Sequence, residues 1–175
     1  MIVINLFGAP GAGKSTGAAR IFSNLKAAGI NAELVTEFAK DKVWEESKAV
    51  FQDQLYILAK QNFRLSRLND KVDVAITDSP IILSAFYKDK HEFKNFKPFI
   101  FELFESYDNI NFFVNRVKPY NPVGRFQTEE ESDEISSSLK SMLLDEGISY
   151  IDINGSVESY DDITRIVLEA LNKYD

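Results

Sequence analysis

Short apolar runs alternate with longer segments of helical periodicity along the chain. The run at residues 2–7 is nearly all apolar, which predicts a buried strand. Comparable runs predict four more strands, at residues 32–36, 72–77, 110–114 and 150–153. Strands that alternate with helices are typical of an α/β fold with a parallel sheet. We therefore expect a five-stranded parallel sheet between helices, as a three-layer α/β/α sandwich.

Helical spacing of apolar residues predicts the elements that cover this sheet. The first helix follows residue 13 and stops at Gly29. A long helix is predicted over residues 47–68, and further helices over 81–87, 96–107 and 130–145. Thr128 with Glu131 fits a capping box before the last of these. Ser159 with Asp162 fits a second box, which predicts that the C-terminal helix begins there.

The loop after the first strand, residues 8–15, has the sequence GAPGAGKS and fits the phosphate-binding pattern G-x-x-x-x-G-K-[ST]. Its glycines let backbone N–H groups curl around a phosphate, and the following helix N-terminus adds a positive dipole end. Lys14 is expected to reach the β- and γ-phosphates, and the Ser15 hydroxyl to ligate Mg²⁺. A nucleoside triphosphate is therefore expected on Gly8, Ala9, Pro10, Gly11, Ala12, Gly13, Lys14, Ser15 and Thr16.

Two carboxylates follow predicted strands, at the sheet edge expected to carry the phosphate-binding loop. Asp78 ends the third strand, where an acid meets Mg²⁺, usually through water; a turn or helix-cap role is the alternative. Glu37 ends the second strand, where a carboxylate can deprotonate or orient an attacking hydroxyl. A solvated acid paired with Lys40 or Lys42 is the alternative for Glu37.

Arg116 and Arg125 flank a segment that contains two prolines and a glycine. Arginine on a closing loop can neutralise the charge that develops on a transferring phosphoryl group. These features predict a lid over about residues 116–130, with ordinary surface arginines as the alternative.

Five side chains near the second strand and on the long helix are candidates for contact with a phosphoryl acceptor. Gln54 can hydrogen-bond a base, and Arg64 and Arg67 can meet a phosphate. Phe38 and Trp44 can stack on a ring, although core packing accounts for them equally well. A solvated role is the alternative for each polar side chain on the helix.

Composition narrows the class of protein. The length of 175 residues suits one domain over the whole chain, and the absence of cysteine fits a reducing, cytoplasmic setting. His91 is the only histidine, which excludes a multi-histidine metal site. The net charge of −7 disfavours a broad nucleic-acid-binding surface. No apolar run has the length of a membrane span or a signal peptide.

The phosphate-binding loop, the segments at 37–40 and 77–80, and the arginine segment at 116–125 together resemble small AAA-type ATP-binding proteins common in phage genomes. These proteins are similar to the nicotinamide riboside kinase domain and, more distantly, to deoxynucleoside kinases and thymidylate kinase. The resemblance implies the strand order 2-3-1-4-5, a lid carrying Arg125, and Mg-ATP as donor. It also implies a general base after the second strand, which Glu37 matches. Ser79 stands where those kinases carry an arginine, which favours an uncharged hydroxyl acceptor.

The sequence therefore predicts an ATP-dependent P-loop kinase, cytoplasmic or in the host cytoplasm if phage-encoded, that acts on a nucleoside or nucleotide-like small molecule. Lys14, Arg116 and Arg125 are expected to stabilise the phosphoryl group, Ser15 and Asp78 to organise the metal, and Glu37 to activate the acceptor. The alternatives are a kinase acting on a modified base in DNA, and a regulatory ATPase or NTP-binding module with no small-molecule acceptor. The oligomeric state stays open, with a homodimer as one alternative.

Overall fold

The computed structural model describes residues 1–45, 48–87 and 93–172, apart from the side chains of residues 43, 44 and 48. Five strands form one sheet in the order β2-β3-β1-β4-β5, and every pair is parallel. They are β1 (Ile2–Phe7), β2 (Ala32–Val35), β3 (Val74–Thr77), β4 (Asp108–Asn115) and β5 (Ile151–Asn154). The predicted number of strands and their order are confirmed.

Seven α-helices and one 3₁₀-helix occur in the described part of the chain. They are α1 (Lys14–Ala27), α2 (Phe38–Trp44), the 3₁₀-helix Lys48–Gln52, α3 (Gln54–Ser66), α4 (Leu83–Phe86), α5 (Phe96–Glu105), α6 (Glu129–Asp145) and α7 (Val157–Leu171). The histidine at position 91 lies outside the described residues.

Alternate residues of the central strand β1 point into two different hydrophobic clusters, one on each face of the sheet. Ile4 and Leu6 pack in the cluster that contains buried residues of α1 and α7, such as Ile21 and Ile163. Phe7 packs in the opposite cluster, which buries residues of α3, α5 and α6. Because side chains alternate along a strand, a strand covered on both faces is apolar at nearly every position. The three-layer α/β/α architecture follows from this pattern.

The long helix predicted over residues 47–68 is wrong. The chain forms a 3₁₀-helix and then starts α3 afresh at Gln54, because the Asp53 carboxylate accepts a hydrogen bond from the Tyr56 N–H at 3.0 Å. An aspartate that caps a helix in this way competes with continuation of the preceding helical turns. The structure also adds α2 directly after Glu37, and it shortens the helix predicted over residues 81–87 to the single turn of α4.

One predicted helix cap is confirmed and the other is wrong. Thr128 and Glu131 form the expected capping box at the start of α6, with both reciprocal bonds present. The observed cap of the C-terminal helix is Ser156, three residues before the predicted cap, because Ser156 accepts the Ser159 N–H at 3.3 Å. Ser159 is therefore inside the first turn of α7, and Asp162 pairs with Arg165 at 2.9 Å instead of closing a box.

Candidate functional site

The parallel sheet brings the ends of four strands to one edge. The phosphate-binding loop, residues 8–15, is called the P-loop, and it directly follows β1. Glu37 follows β2, Asp78 follows β3 and Arg116 follows β4. Because β1 lies between β3 and β4, the P-loop occupies the middle of this edge. In open α/β sheets, ligands bind in the crevice outside the carboxyl ends of the strands. The candidate site residues predicted from separate segments are thus collected at one place.

The P-loop is held by its own lysine in this structure. The Lys14 ammonium group donates to the carbonyl oxygens of Gly8 at 2.7 Å and Ala9 at 3.0 Å. Gly8 has a φ of 140°, and a Cβ there would be 2.6 Å from the Val114 carbonyl oxygen. Glycine is therefore required at this position by both the backbone conformation and the close approach of β4.

Lys14, Glu37 and Asp78 form a group of mutually interacting charges. Burial lowers the pKa of Lys14, while the charges of Glu37 and Asp78 act in the opposite direction. Burial also raises the pKa of the Glu37 carboxyl, against the effect of Lys14. The Glu37 N–H donates to the Asp78 carboxylate at 3.0 Å, and Asp78 is only 5% exposed. The turn after β2 is therefore fixed to the end of β3, and the Glu37 side chain is partly buried there.

The side chain of Gln61 on α3 supports this arrangement. Its carbonyl oxygen accepts the Phe38 N–H at 2.9 Å, and its amide nitrogen donates to Thr77 Oγ1 at 3.4 Å. Gln61 is 4% exposed, so both bonds lie in the protein interior. The ends of β2 and β3 are joined through this one side chain, which positions the backbone next to Glu37.

The candidate acceptor residues lie on α2 and α3, and those described make contacts within the protein. Phe38 is buried, with the Tyr56 ring against it at 5.5 Å. Arg64 lies over the Phe38 ring and donates to Asp41 at 2.8 Å. Gln54 is buried and donates to the Phe51 carbonyl, and the exposed Arg67 donates to the Arg64 carbonyl. The side chain of Trp44 lies outside the described residues. Contact of all five with an acceptor stays a prediction.

The two arginines of the predicted lid differ in their surroundings. Arg116 forms ion pairs with Glu129 and Asp133 at the start of α6. Arg125 bonds to the carbonyl of Asn121, and its charge contributes to the lowered pKa of Lys14. Arg125 therefore acts electrostatically on the P-loop, whereas the charge of Arg116 is compensated by α6.

The Tyr120 ring joins the predicted lid to the P-loop. Both Arg116 and Arg125 lie over it, with their guanidinium carbons 5.7 and 5.8 Å from its centroid. A Cβ at Gly11 would be 3.0 Å from the same ring, so Tyr120 packs directly against the loop. Its hydroxyl donates to the Gln127 carbonyl at 2.7 Å.

Two side chains that the sequence analysis did not single out for the site also hold the P-loop. The Ser132 hydroxyl donates to the Pro10 carbonyl at 2.7 Å, and Ser132 is completely buried. The Tyr160 hydroxyl donates to the Gly13 carbonyl at 3.0 Å. Both residues are far from the loop in sequence, and no local pattern marks either of them.

No cluster of three or more histidine, cysteine, aspartate or glutamate side chains within residues 1–45, 48–87 and 93–172 is placed to hold a metal. Ser15 is exposed at the start of α1, and Asp78 supplies a buried carboxylate near Lys14. Hydroxyl and carboxylate oxygens can ligate Mg²⁺ when phosphate oxygens and water complete its coordination shell.

The sheet order and the glycine loop define the class of protein: the chain has the fold of P-loop kinases. It belongs to the AAA_28 family, described as an AAA domain, whose model matches residues 3–159. A search of curated proteins finds no match. In the described part of the chain, no helix has the length and apolar character needed to cross a membrane.

Solved structures with the same fold include two of deoxyadenosine kinase from M. mycoides. The form with bound dATP has a TM-score of 0.57 and 18% identity, and the alignment covers 97% of this chain and 99% of that one. The form with the products dCMP and a flexible dCDP has a TM-score of 0.55 and 18% identity, with coverage of 98% and 99%. At this identity the likeness concerns the fold.

Proposed function

We propose that this protein is an ATP-dependent kinase that transfers the γ-phosphate to a hydroxyl or phosphate of a nucleoside or nucleotide-like small molecule. The observation that carries the proposal is the convergence of Lys14, Glu37 and Asp78 at one sheet edge. A P-loop alone accounts for nucleotide binding. A partly buried carboxylate with a raised pKa, which interacts electrostatically with the phosphate-binding lysine, adds a group suited to accept a proton from a second substrate.

ATP is proposed to bind on residues 8–16. Lys14 then exchanges its bonds to the Gly8 and Ala9 carbonyls for bonds to phosphate oxygens. Ser15 and Asp78 would hold Mg²⁺, which neutralises charge on the phosphates. ATP is proposed as the donor because the sequence resembles AAA-type ATP-binding proteins and the chain belongs to an AAA domain family; the phosphate-binding pattern itself is common to proteins that bind ATP and proteins that bind GTP.

For a hydroxyl acceptor, the proposed chemistry is an in-line transfer in which Glu37 serves as general base. The acceptor oxygen forms a bond to the γ-phosphorus while the bond from that phosphorus to the β–γ bridging oxygen breaks, and ADP leaves. Glu37 takes the hydroxyl proton. Arg125, which interacts electrostatically with Lys14, would offer charge to the transferring group, and Arg116 would become available once it leaves its acidic partners on α6. Residues 116–130 act as the lid.

The proposed acceptor class rests on two supports. The structural neighbours are named deoxyadenosine kinases and hold dATP, dCMP and dCDP, which are nucleotides. Ser79 follows Asp78 in this chain, at the position where the related kinases carry an arginine, and this favours a hydroxyl over a phosphate acceptor.

The experiment follows ³²P from γ-labelled ATP into three acceptor panels: free nucleosides, nucleoside monophosphates, and duplex DNA containing a hydroxymethylated base. Lys14→Ala serves as the inactive control. Label in a nucleoside or a monophosphate supports the proposal and names the acceptor. Label in DNA alone overturns the small-molecule acceptor, and ATP hydrolysis that no panel stimulates overturns kinase activity.

A further inference from the structure

Two glycines one turn apart make a slot at the start of α1. A Cβ at Gly13 would be 2.6 Å from the Tyr160 hydroxyl oxygen, and one at Gly17 would be 2.5 Å from Tyr160 Cε1. Gly17 has ordinary helical geometry, so its backbone conformation does not require glycine. Glycine in a helix interior is unfavourable compared with alanine. The reason for glycine at this position is therefore the aromatic ring that lies against it.

The ring in this slot belongs to α7 and ends at the P-loop. Tyr160 is 2% exposed, and its hydroxyl donates to the Gly13 carbonyl at 3.0 Å. The same carbonyl accepts the Gly17 N–H at 2.9 Å, the first helical bond of α1. Gly13 has a φ of 104°, so this peptide lies where the chain turns from the loop into the helix. Burial raises the pKa of the Tyr160 phenol above its usual value, so the hydroxyl stays protonated at neutral pH, as an ordinary phenol also does.

The direction of the Gly13 carbonyl also determines the direction of the next amide. In a trans peptide the C=O and the following N–H point in opposite directions. Because the Gly13 carbonyl is held towards α7, the Lys14 N–H points away from α7 and towards the space enclosed by the P-loop. Backbone N–H groups at the start of a helix are the donors that bind phosphate in a P-loop.

The loop after β5 also packs against the P-loop and the Tyr160 hydroxyl. A Cβ at Gly155 would be 2.3 Å from the Ala12 carbonyl oxygen and 3.4 Å from the Tyr160 hydroxyl oxygen. The Gly155 N–H donates to the Asn115 carbonyl at 2.8 Å. The P-loop backbone therefore packs directly on the backbone that leads into α7.

We propose that Tyr160 is a positioning residue, which orients the Gly13–Lys14 peptide of the P-loop for phosphate binding through its hydroxyl. This inference rests on the proposed binding of ATP to the loop. It assigns to α7 a part in nucleotide binding, although α7 contributes no residue to the phosphate-binding motif.

The test compares Tyr160→Phe with the wild-type protein. The variant keeps the ring in its slot and removes only the oxygen. The dissociation constant of Mg-ATP, measured by titration calorimetry, is expected to rise about threefold to tenfold, as for loss of one neutral hydrogen bond. Amide hydrogen exchange of residues 8–17, measured without nucleotide, is expected to become faster.

Tyr107→Phe is the matched control. The Tyr107 hydroxyl donates to Asn62 at 2.8 Å. Tyr107 immediately precedes β4, so it lies at the opposite end of the strands from the P-loop. This variant loses a hydrogen bond of the same kind as Tyr160→Phe does, so the two variants should lose similar thermal stability. Its affinity for Mg-ATP and its exchange at residues 8–17 should stay at wild-type values.

The inference is overturned if Tyr160→Phe binds Mg-ATP within twofold of wild type, or if Tyr107→Phe weakens binding equally. Failure of the wild-type protein to bind Mg-ATP would contradict the proposed function instead, and unchanged exchange at residues 8–17 would then still refute the role of Tyr160. If Tyr160→Phe does not fold, Gly17→Ala, which displaces the ring from Gly13, takes its place and must produce the same faster exchange.

Discussion

Replacing Gly17 by alanine sets two opposing effects against each other. Alanine in a helix interior is more stable than glycine by about 1 kcal/mol. In this protein, however, the added Cβ would be 2.5 Å from Tyr160 Cε1 and 2.8 Å from Cδ1. Carbon atoms in ordinary contact are about 3.5–4.0 Å apart. The ring or the helix must therefore move by about 1 Å.

The surroundings of Tyr160 make such a movement costly. The ring is 2% exposed and packs in the cluster that includes Ala18, Ile21 and Ile163. It therefore cannot move away from Gly17 without displacing other buried side chains. Overpacking of this kind costs about 1–3 kcal/mol. Displacement of the ring also weakens its bond to the Gly13 carbonyl, which adds about 1 kcal/mol. After the gain in helix propensity, we expect a net loss of about 1–3 kcal/mol.

The assay is reversible denaturation by urea and heat. For a chain of this size, the expected loss lowers Tm by about 2–12 °C. Ala19→Gly, at an exposed position of the same helix, measures the propensity effect alone. In a Tyr160→Leu background the clash is reduced, and Gly17→Ala should then stabilise the protein. A Gly17→Ala variant at least as stable as wild type, with Tyr160 present, would refute the reasoning.

The remaining predictions concern catalysis. Glu37→Gln should lower kcat by about 10²–10⁴-fold if Glu37 is the general base, while Glu33→Gln, at an exposed position of the preceding strand β2, should leave kcat unchanged. The pH profile of kcat/KM should be bell-shaped. Its acid limb falls as Glu37 is protonated, at a pKa above the usual glutamate range, and Glu37→Gln should remove this limb. Its alkaline limb falls as Lys14 loses its proton, at a pKa below the usual lysine range. Arg125→Ala should reduce kcat by about 10²–10³-fold, and more than Arg116→Ala, because acids on α6 already compensate Arg116; equal losses in steady-state assays would contradict this order.

Much of the site could be predicted because its parts are local or share a strand end. The P-loop is one continuous segment with a fixed spacing. Glu37 and Asp78 are far apart in sequence, but each follows a strand of the parallel sheet, and neighbouring parallel strands end at the same edge. Their proximity therefore follows from the fold class, and the hydrogen bond from the Glu37 N–H to Asp78 agrees with it.

Helix boundaries were less predictable, because apolar periodicity continues across a cap. The pattern over residues 47–68 has no visible interruption at Asp53, and only the bond from the Tyr56 N–H shows that a new helix begins there. Near the C-terminus, Ser156 and Ser159 each stand three residues before a polar residue. The packing of Gly155 on the Ala12 carbonyl places the turn before Ser156, and this contact is invisible in the local sequence.

The contacts that hold the P-loop were inaccessible to sequence reasoning, yet they explain how a glycine-rich loop can be ready for a ligand. Glycine has the largest backbone freedom to lose on ordering. Here Ser132 on α6 holds the Pro10 carbonyl and Tyr160 on α7 holds the Gly13 carbonyl, so the fold restricts that freedom before any nucleotide arrives. Of the side-chain bonds to this loop, those from Lys14 are the ones that phosphate oxygens would replace. Within the loop, binding of phosphate then requires rearrangement of the Lys14 side chain, and the cost of ordering the loop backbone is met during folding.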